Sequence, residues 1–198
     1  MDALLAFVAA LVSLRLSGDL VRRFRSHDAS ELAAWAAALA AYAVAAGALA
    51  WGAAAGWSDA AFRVYYLGGA FLTAPLLGTG SVLLTGRRWV TPVALVVPLD
   101  GELSGNEVPR AQDVLDLWPA RVLAIVGNSL GTLAVVVVAA ATFRRRPLGN
   151  ALILTGVAVA ALGSGFAGLG VGALAPIVAA AAVLLYAGFV IPTPRRRP

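Results

Sequence analysis

Residues 119–146 read PARVLAIVGNSLGTLAVVVVAAATFRRR, a nearly unbroken apolar run that ends in three arginines. A helix that crosses the hydrocarbon core of a bilayer needs about 20 consecutive, mostly apolar residues. The part 119–143 is long enough for that. Because arginines collect on the cytoplasmic side of membrane helices, the segment predicts a spanning helix whose C-terminal end lies inside the cell.

The rest of the chain continues this pattern. Of its 198 residues, 61% are hydrophobic and 13% are charged, and the mean hydropathy is +0.86. Soluble domains carry about 25% charged residues, so the composition excludes a water-soluble globule. Further spanning helices are predicted at residues 3–21, 31–54, 63–85, 148–167 and 171–191.

Residues 89–103 decide the number of crossings. Their apolar part, Trp89–Leu99, would cover only about 16 Å of a core that is roughly 30 Å thick. However, Arg88 and Arg144 should both lie inside, which requires an even number of crossings between them. The run 119–143 supplies one crossing. We therefore expect 89–103 to supply the other as a short helix, helped by local thinning of the bilayer.

The predicted fold is an all-α transmembrane bundle of seven helices, with residues 1–198 in one domain. The N-terminus is expected outside and the C-terminus inside, since the arginine clusters at 22–25, 87–88, 144–146 and 195–197 would then all face the cytoplasm. The first three and last three helices run in the same direction about the fourth, which predicts a parallel 3+1+3 repeat. We expect a multi-pass protein of the cytoplasmic membrane.

Two short strings, FRVYYLGG at 62–69 and GNSLGTLAVV at 127–136, are similar to an uncharacterised group of prokaryotic seven-helix integral membrane proteins. This resemblance implies the fold and no particular activity. The layout also resembles that of the SWEET/PQ-loop sugar carriers and of the microbial rhodopsins. The chain has no Pro-Gln pair and no lysine that could hold retinal, so neither function is implied.

The outer connection 104–118 is predicted to hold an amphipathic helix that lies on the membrane surface. The alternative is a lid over a pocket that opens outward. The residues DGELSGNE, at 100–107, overlap the start of this connection and have the alternating oxygen donors of a calcium loop. Because Ala111 stands where such a loop needs a bidentate glutamate, we expect a solvated acidic turn and no metal.

Polar side chains recur along two predicted helices, 63–85 and 119–143. Polar groups in hydrocarbon need partners or water, so these stripes should face the bundle interior. If the helices touch, two arginines could hold an anionic ligand near the outer leaflet. The alternative is that Asn128 simply bonds to a neighbouring helix. The candidate ligand-binding residues are Arg63, Tyr66, Thr73, Arg121, Asn128 and Thr132.

Three local patterns predict helix packing and shape. Gly127 and Gly131 form a G-x-x-x-G pair, which allows two helix backbones to approach closely. Pro75 predicts a kink in helix 63–85. Arg15 and Asp19 are four residues apart, so they are predicted to pair at the inner interface.

The residue inventory limits the chemistry. With no cysteine, no lysine and one histidine, the chain cannot build thiolate metal sites, lysine Schiff bases or a bis-histidine haem from its own side chains. We therefore expect no enzyme, no cofactor and no metal. Arginine clusters between apolar runs are typical of membrane anchors, so no nucleic acid is expected as a partner.

Two functions remain from the sequence. The first is a non-catalytic membrane protein, acting as a ligand-binding or accessory subunit with an outward-facing polar pocket. The alternative is a small-solute or lipid transporter. The expected partners are the lipid bilayer, an anionic small molecule or lipid, and another membrane protein or a second copy of the chain.

The absence of native cysteines allows a direct test of topology. We expect Ser58→Cys and Gly105→Cys to react with an impermeant thiol reagent added outside intact cells. Arg145→Cys should react only when the reagent reaches the inner side. Labelling of position 145 from outside would overturn the seven-helix arrangement.

Overall fold

The apolar runs form helices wherever the structure describes them. The protein is described from a computed structural model, for residues 2–84, 122–168 and 174–191. Within these ranges there are six helices and no strand, which confirms the all-α class. The predicted helix 89–103 and the predicted outer segment 104–118 lie outside the described residues.

The six helices match the predicted runs to within a few residues, with two larger differences. The first helix continues to His27, past the predicted end at 21, because arginine forms helices well and positive charge is favoured near a helix C-terminus. The third helix begins four residues early, since the Ser58 side chain caps it by accepting from the Ala61 N–H at 3.3 Å. The helices are α1 (Asp2–His27), α2 (Ser30–Ala55), α3 (Asp59–Leu83), α4 (Val122–Ala141), α5 (Pro147–Gly168) and α6 (Leu174–Val190).

Four helices are long and apolar enough to cross a membrane. They are α1, α2, α3 and α4, and each carries at least 20 residues. The described apolar parts of α5 and α6 are shorter, at Pro147–Gly163 and Ala179–Gly188. These lengths and compositions are those of a helical membrane protein.

Each helix contacts the next one along the described chain, and α6 returns to contact α1. The neighbours therefore form a closed cycle around a common core. All six helices contribute to one cluster of buried apolar side chains, which comprises Leu16, Leu20, Trp35, Ala36, Ala38, Leu39, Leu77, Val135, Ile153 and Leu185.

Two arginine clusters lie at the same end of this bundle, which we call the arginine end. Arg146, in the turn between α4 and α5, donates through Nη2 to the Ile191 carbonyl at 2.8 Å, just beyond α6. Arg23, near the end of α1, lies close enough for its charge to act on Arg146. The C-terminal half of α3 also points to this end, because the Leu77 carbonyl accepts from Nε1 of Trp35 at 3.3 Å. The opposite end, which we call the far end, holds the turn between α2 and α3.

Glycines bring α3 and α4 into very close contact. A Cβ atom on Gly78 would lie 2.7 Å from the Cα of Gly131, and one on Gly131 would overlap the carbonyl of Ala74. Pro75 lies beside Gly127 just as Gly78 lies beside Gly131, so residue numbers rise together along the two helices. The two helices are therefore parallel, and both run toward the arginine end.

The ion pair near the C-terminal end of α1 differs from the predicted one. Asp19 pairs with Arg22, and Arg15 is exposed. Because α1 continues past residue 21, Arg22 stands one turn from Asp19 on the same side of the helix. This alternative partner was missed when the helix was expected to end earlier.

The glycine contact predicts different responses to the same substitution. Gly131→Ala should lower the free energy of unfolding by about 1–3 kcal/mol, because the added methyl group forces two backbones apart. Gly127→Ala is the matched control, since a Cβ there would meet Cγ of Pro75 at 3.4 Å, an ordinary contact. Denaturant titration of both variants in detergent micelles measures the difference. Equal stabilities would contradict the described contact.

Candidate functional site

The helix α3 changes type along its length. Residues Leu67–Thr73 form π-helical turns between two α-helical parts, Asp59–Tyr66 and Ala74–Leu83. Such turns are rare and often occur at functional sites. They mark the middle of α3 as the first component of a candidate site.

The sequence predicted a kink at Pro75, and the π-helical turns lie immediately before this residue. Proline has no N–H to donate, and its ring crowds the carbonyl of the residue four positions earlier, here Phe71. A local change to π-helix is one way in which membrane helices accommodate this. The hydroxyl of Thr73 also donates to the Gly68 carbonyl at 2.7 Å, which stabilises the altered turns.

An aromatic cluster lies on the far-end side of these turns. Tyr66 stacks on Phe62, with ring centroids 5.8 Å apart, and meets the edge of Phe71 at 5.6 Å. Tyr65 contacts Trp57 at 5.5 Å. Tyr66 is thus held by neighbouring rings and remains half-buried.

Asn128 lies on the inward face of α4 and is nevertheless exposed. Val135 and Ala139 lie about two and three turns later on the same face of α4, and both are buried, with exposed fractions of 6% and 5%. Within the described residues no hydrogen bond to its carboxamide is found. The face of α4 that is buried near the arginine end is therefore accessible at the level of Asn128.

The contact between α4 and α5 explains this difference in exposure. Near the arginine end, Nδ2 of the buried Asn150 donates to the Ala139 carbonyl at 3.0 Å and to the Thr142 hydroxyl at 2.9 Å. These bonds join the two helices beside their connecting turn. Farther from the arginine end, Asn128 makes no comparable bond among the described residues, and its side chain remains accessible.

The remaining candidate residues are distributed around this opening. Thr73 is half-buried and lies near the level of Asn128, because Pro75, two residues later, contacts Gly127. Thr132, one turn beyond Asn128, is also half-buried. Arg63 is exposed near the start of α3. Arg121 lies outside the described residues, so its distance from Arg63 is not defined.

Among the described residues, the polar side chains near the level of Asn128 are neutral. They are the hydroxyls of Thr73 and Thr132, with the ring of Tyr66 farther toward the far end. Such groups can hold a ligand through hydrogen bonds and ring contacts, with no acid–base or nucleophilic step.

Two features of the site were missed from the sequence. The π-helical turns were not predicted, although Gly68, Gly69 and Pro75 together could have indicated an irregular helix. The bonds of Asn150 were also missed. A lone asparagine within an apolar run should have signalled a partner on another helix, by the same reasoning that was applied to Asn128.

No protein-family model matches the chain, and no curated protein or solved structure is significantly similar to it. The resemblance to prokaryotic seven-helix proteins thus remains an expectation. The function has to be inferred from the arrangement of the residues themselves.

The hydroxyl of Thr73 provides a test of the π-helical turns. Thr73→Val should lower the free energy of unfolding by about 1–2 kcal/mol, because a part-buried carbonyl loses a donor. Thr155→Val is the matched control. Its hydroxyl makes a bond of 2.9 Å to the Ala151 carbonyl on an exposed helix surface, so its loss should change stability by less than about 0.5 kcal/mol. Denaturant titration in detergent compares the two, and equal losses would contradict a special role for Thr73.

Proposed function

We propose that this protein is a non-catalytic integral membrane protein of the cytoplasmic membrane, acting as a ligand-binding or accessory subunit. Its pocket lies on the side of α4 where Asn128 is exposed, beside the close contact with α3, and opens outward. The observation that supports this most directly is the exposed carboxamide of Asn128 on an otherwise buried helix face. A carboxamide in hydrocarbon is costly, whereas one that meets water or a ligand is not.

The parallel packing of α3 and α4 supports a fourth crossing between them. The helix α3 ends at the arginine end, and α4 runs toward that same end. The chain between Leu84 and Val122 therefore has to return to the far end. We infer that the predicted helix 89–103 makes this return, which gives seven crossings.

The orientation follows from charge. Residues 22–25 and 144–146 contain six arginines that lie at one end of the bundle. Positively charged connections resist translocation, so this end is expected to face the cytoplasm. The far end, and with it the opening at Asn128, then faces outward.

The proposed ligand carries a polar or anionic group and an apolar part. Asn128 and Thr132 offer hydrogen bonds, Thr73 keeps an acceptor oxygen because its hydroxyl donates to the Gly68 carbonyl, and the rings around Tyr66 offer apolar contact. Arg63, near the outer end of α3, supplies a positive charge, and Arg121 directly precedes α4 in the sequence. An amphiphilic anion, either a small molecule or a lipid, matches these groups.

A small-solute or lipid transporter is the second candidate. It is favoured by the directions of the helices. The helices α1 and α3 run toward the arginine end and α2 runs away from it, and α4, α5 and α6 repeat this pattern. Transporters are often built from two such repeats. An accessory or ligand-binding subunit does not require this repetition.

Cysteine accessibility tests the pocket without knowledge of its ligand. We expect Asn128→Cys to react with an impermeant methanethiosulfonate reagent added from outside, since a thiol reacts as its thiolate and needs water. The adjacent Ser129→Cys is the control. It shares its side of α4 with the exposed Ile125 and Leu133, which face lipid in a bilayer, so it should remain unlabelled. Labelling of neither position, or of both equally, would contradict the pocket.

Substitution separates binding from packing. Asn128→Leu and Arg121→Ala should reduce the occupancy of a co-purified ligand, or transport, more than they reduce the yield of folded protein. Equal losses would favour a packing role for Asn128. In an experimental structure, a molecule in contact with Asn128 beside α3 would support the pocket, whereas a packed, dry surrounding of this side chain would favour an accessory role.

A further inference from the structure

A second polar site lies at the arginine end, opposite the proposed pocket. Arg146 is part-buried between the turn that joins α4 to α5 and the end of α6. Its Nη2 donates to the carbonyls of Ile191 at 2.8 Å and Gly188 at 3.2 Å. These carbonyls have few partners at a helix C-terminus, so Arg146 fixes the end of α6.

The guanidinium of Arg146 keeps an unused donor. Its Nε atom is buried and has no hydrogen-bond partner in the described part of the chain. Burial and the nearby positive charge of Arg23 both lower the pKa of Arg146. Arginine nevertheless remains charged, so Arg23 and Arg146 are two positive charges that are close enough to repel each other.

No described carboxylate neutralises this pair of charges. Among the described residues one ion pair is present, between Arg22 and Asp19. Arg23 is exposed, as are Arg144 and Arg145, and all three carry positive charge toward the same end. Like charges in close proximity repel each other, and a bridging anion would convert this repulsion into attraction.

Apolar side chains flank the charges in sequence. Phe143 and Leu148, on either side of the arginine triplet, are 39% and 61% exposed. A Cβ atom on residue 149 would lie 3.3 Å from Nη2 of Arg146. Because Gly149 has no side chain, the space beside the guanidinium stays open. A free phosphate ion makes no favourable contact with exposed phenyl and leucyl groups, whereas the acyl chain of a lipid packs against them.

We propose that Arg23 and Arg146 bind the phosphate of an anionic phospholipid in the leaflet at the arginine end. The acyl chains lie against Phe143 and Leu148. Guanidinium groups form charge-assisted hydrogen bonds with phosphate oxygens, and basic pockets between membrane helices bind lipid headgroups. Because Nη2 of Arg146 already donates to two carbonyls, the phosphate meets Nη1 of this side chain. The bound lipid ties α1 to the turn between α4 and α5.

Lipid titration of the full chain tests this proposal. In dodecylmaltoside micelles, dioleoyl phosphatidylglycerol should raise the Tm and remain bound in native mass spectrometry, while dioleoyl phosphatidylcholine should do neither. Arg23→Gln should weaken the binding of phosphatidylglycerol about fivefold, because one basic residue near an anionic headgroup contributes about this much to the affinity.

Arg25→Gln is the matched control. Arg25 is exposed in the same turn of α1, but it lies about 200° around the helix from Arg23. The Arg25→Gln substitution therefore removes the same charge from a different side of the helix. The binding of phosphatidylglycerol by this variant should stay within about twofold of the parent protein. Equal weakening by both substitutions would indicate diffuse attraction and would overturn the site, as would the absence of any preference for phosphatidylglycerol.

Two further arms complete the test. Inorganic phosphate should not reproduce the rise in Tm, and a rise as large as that given by the lipid would overturn the lipid as the occupant. Arg146→Lys keeps the charge and removes the planar fork, so it should also weaken lipid binding. Unchanged binding in a folded Arg146→Lys variant would contradict the role of this guanidinium.

Discussion

The close parallel contact of α3 and α4 sets the arrangement of the bundle. Without side chains on Gly78 and Gly131, the two backbones approach to a distance that other residues would prevent. Since hydrocarbon offers helices little drive to associate, such close packing is what holds membrane helices together. The shared direction of α3 and α4 also brings the ends of α1, α3, α4 and α6 to one side.

The two ends of the bundle differ in how tightly they are joined. At the arginine end, Asn150 links α4 to α5, and Arg146 links their turn to α6. At the far end, aromatic rings pack around Phe62, and the inward side chain of Asn128 stays accessible. This asymmetry supports the proposed ligand pocket toward the far end and a structural closure at the arginine end, where we propose a bound lipid.

The sequence predicts the parts of this structure that depend on local composition. The apolar runs give the helices, and the G-x-x-x-G pair lies where α4 meets α3. The end of α1 was placed too early, because arginines were treated as loop residues although they extend the helix to His27. The π-helical turns and the accessibility of Asn128 depend on hydrogen bonds and helix separations between distant residues, which periodicity does not encode. Exposure of Arg63 follows from its position near a helix start.

The π-helical turns have a consequence for how this helix can vary. Gly68 contacts α2 beside Ala41, while Gly78 contacts α4. The number of residues between the two glycines therefore fixes the angle between these two contacts. A single-residue deletion within Leu67–Thr73 would turn one contact away by about 100°, the rotation per residue of an α-helix. The length of this seven-residue segment is therefore constrained as strictly as the identity of Gly68 within it, and insertions or deletions here should not be tolerated.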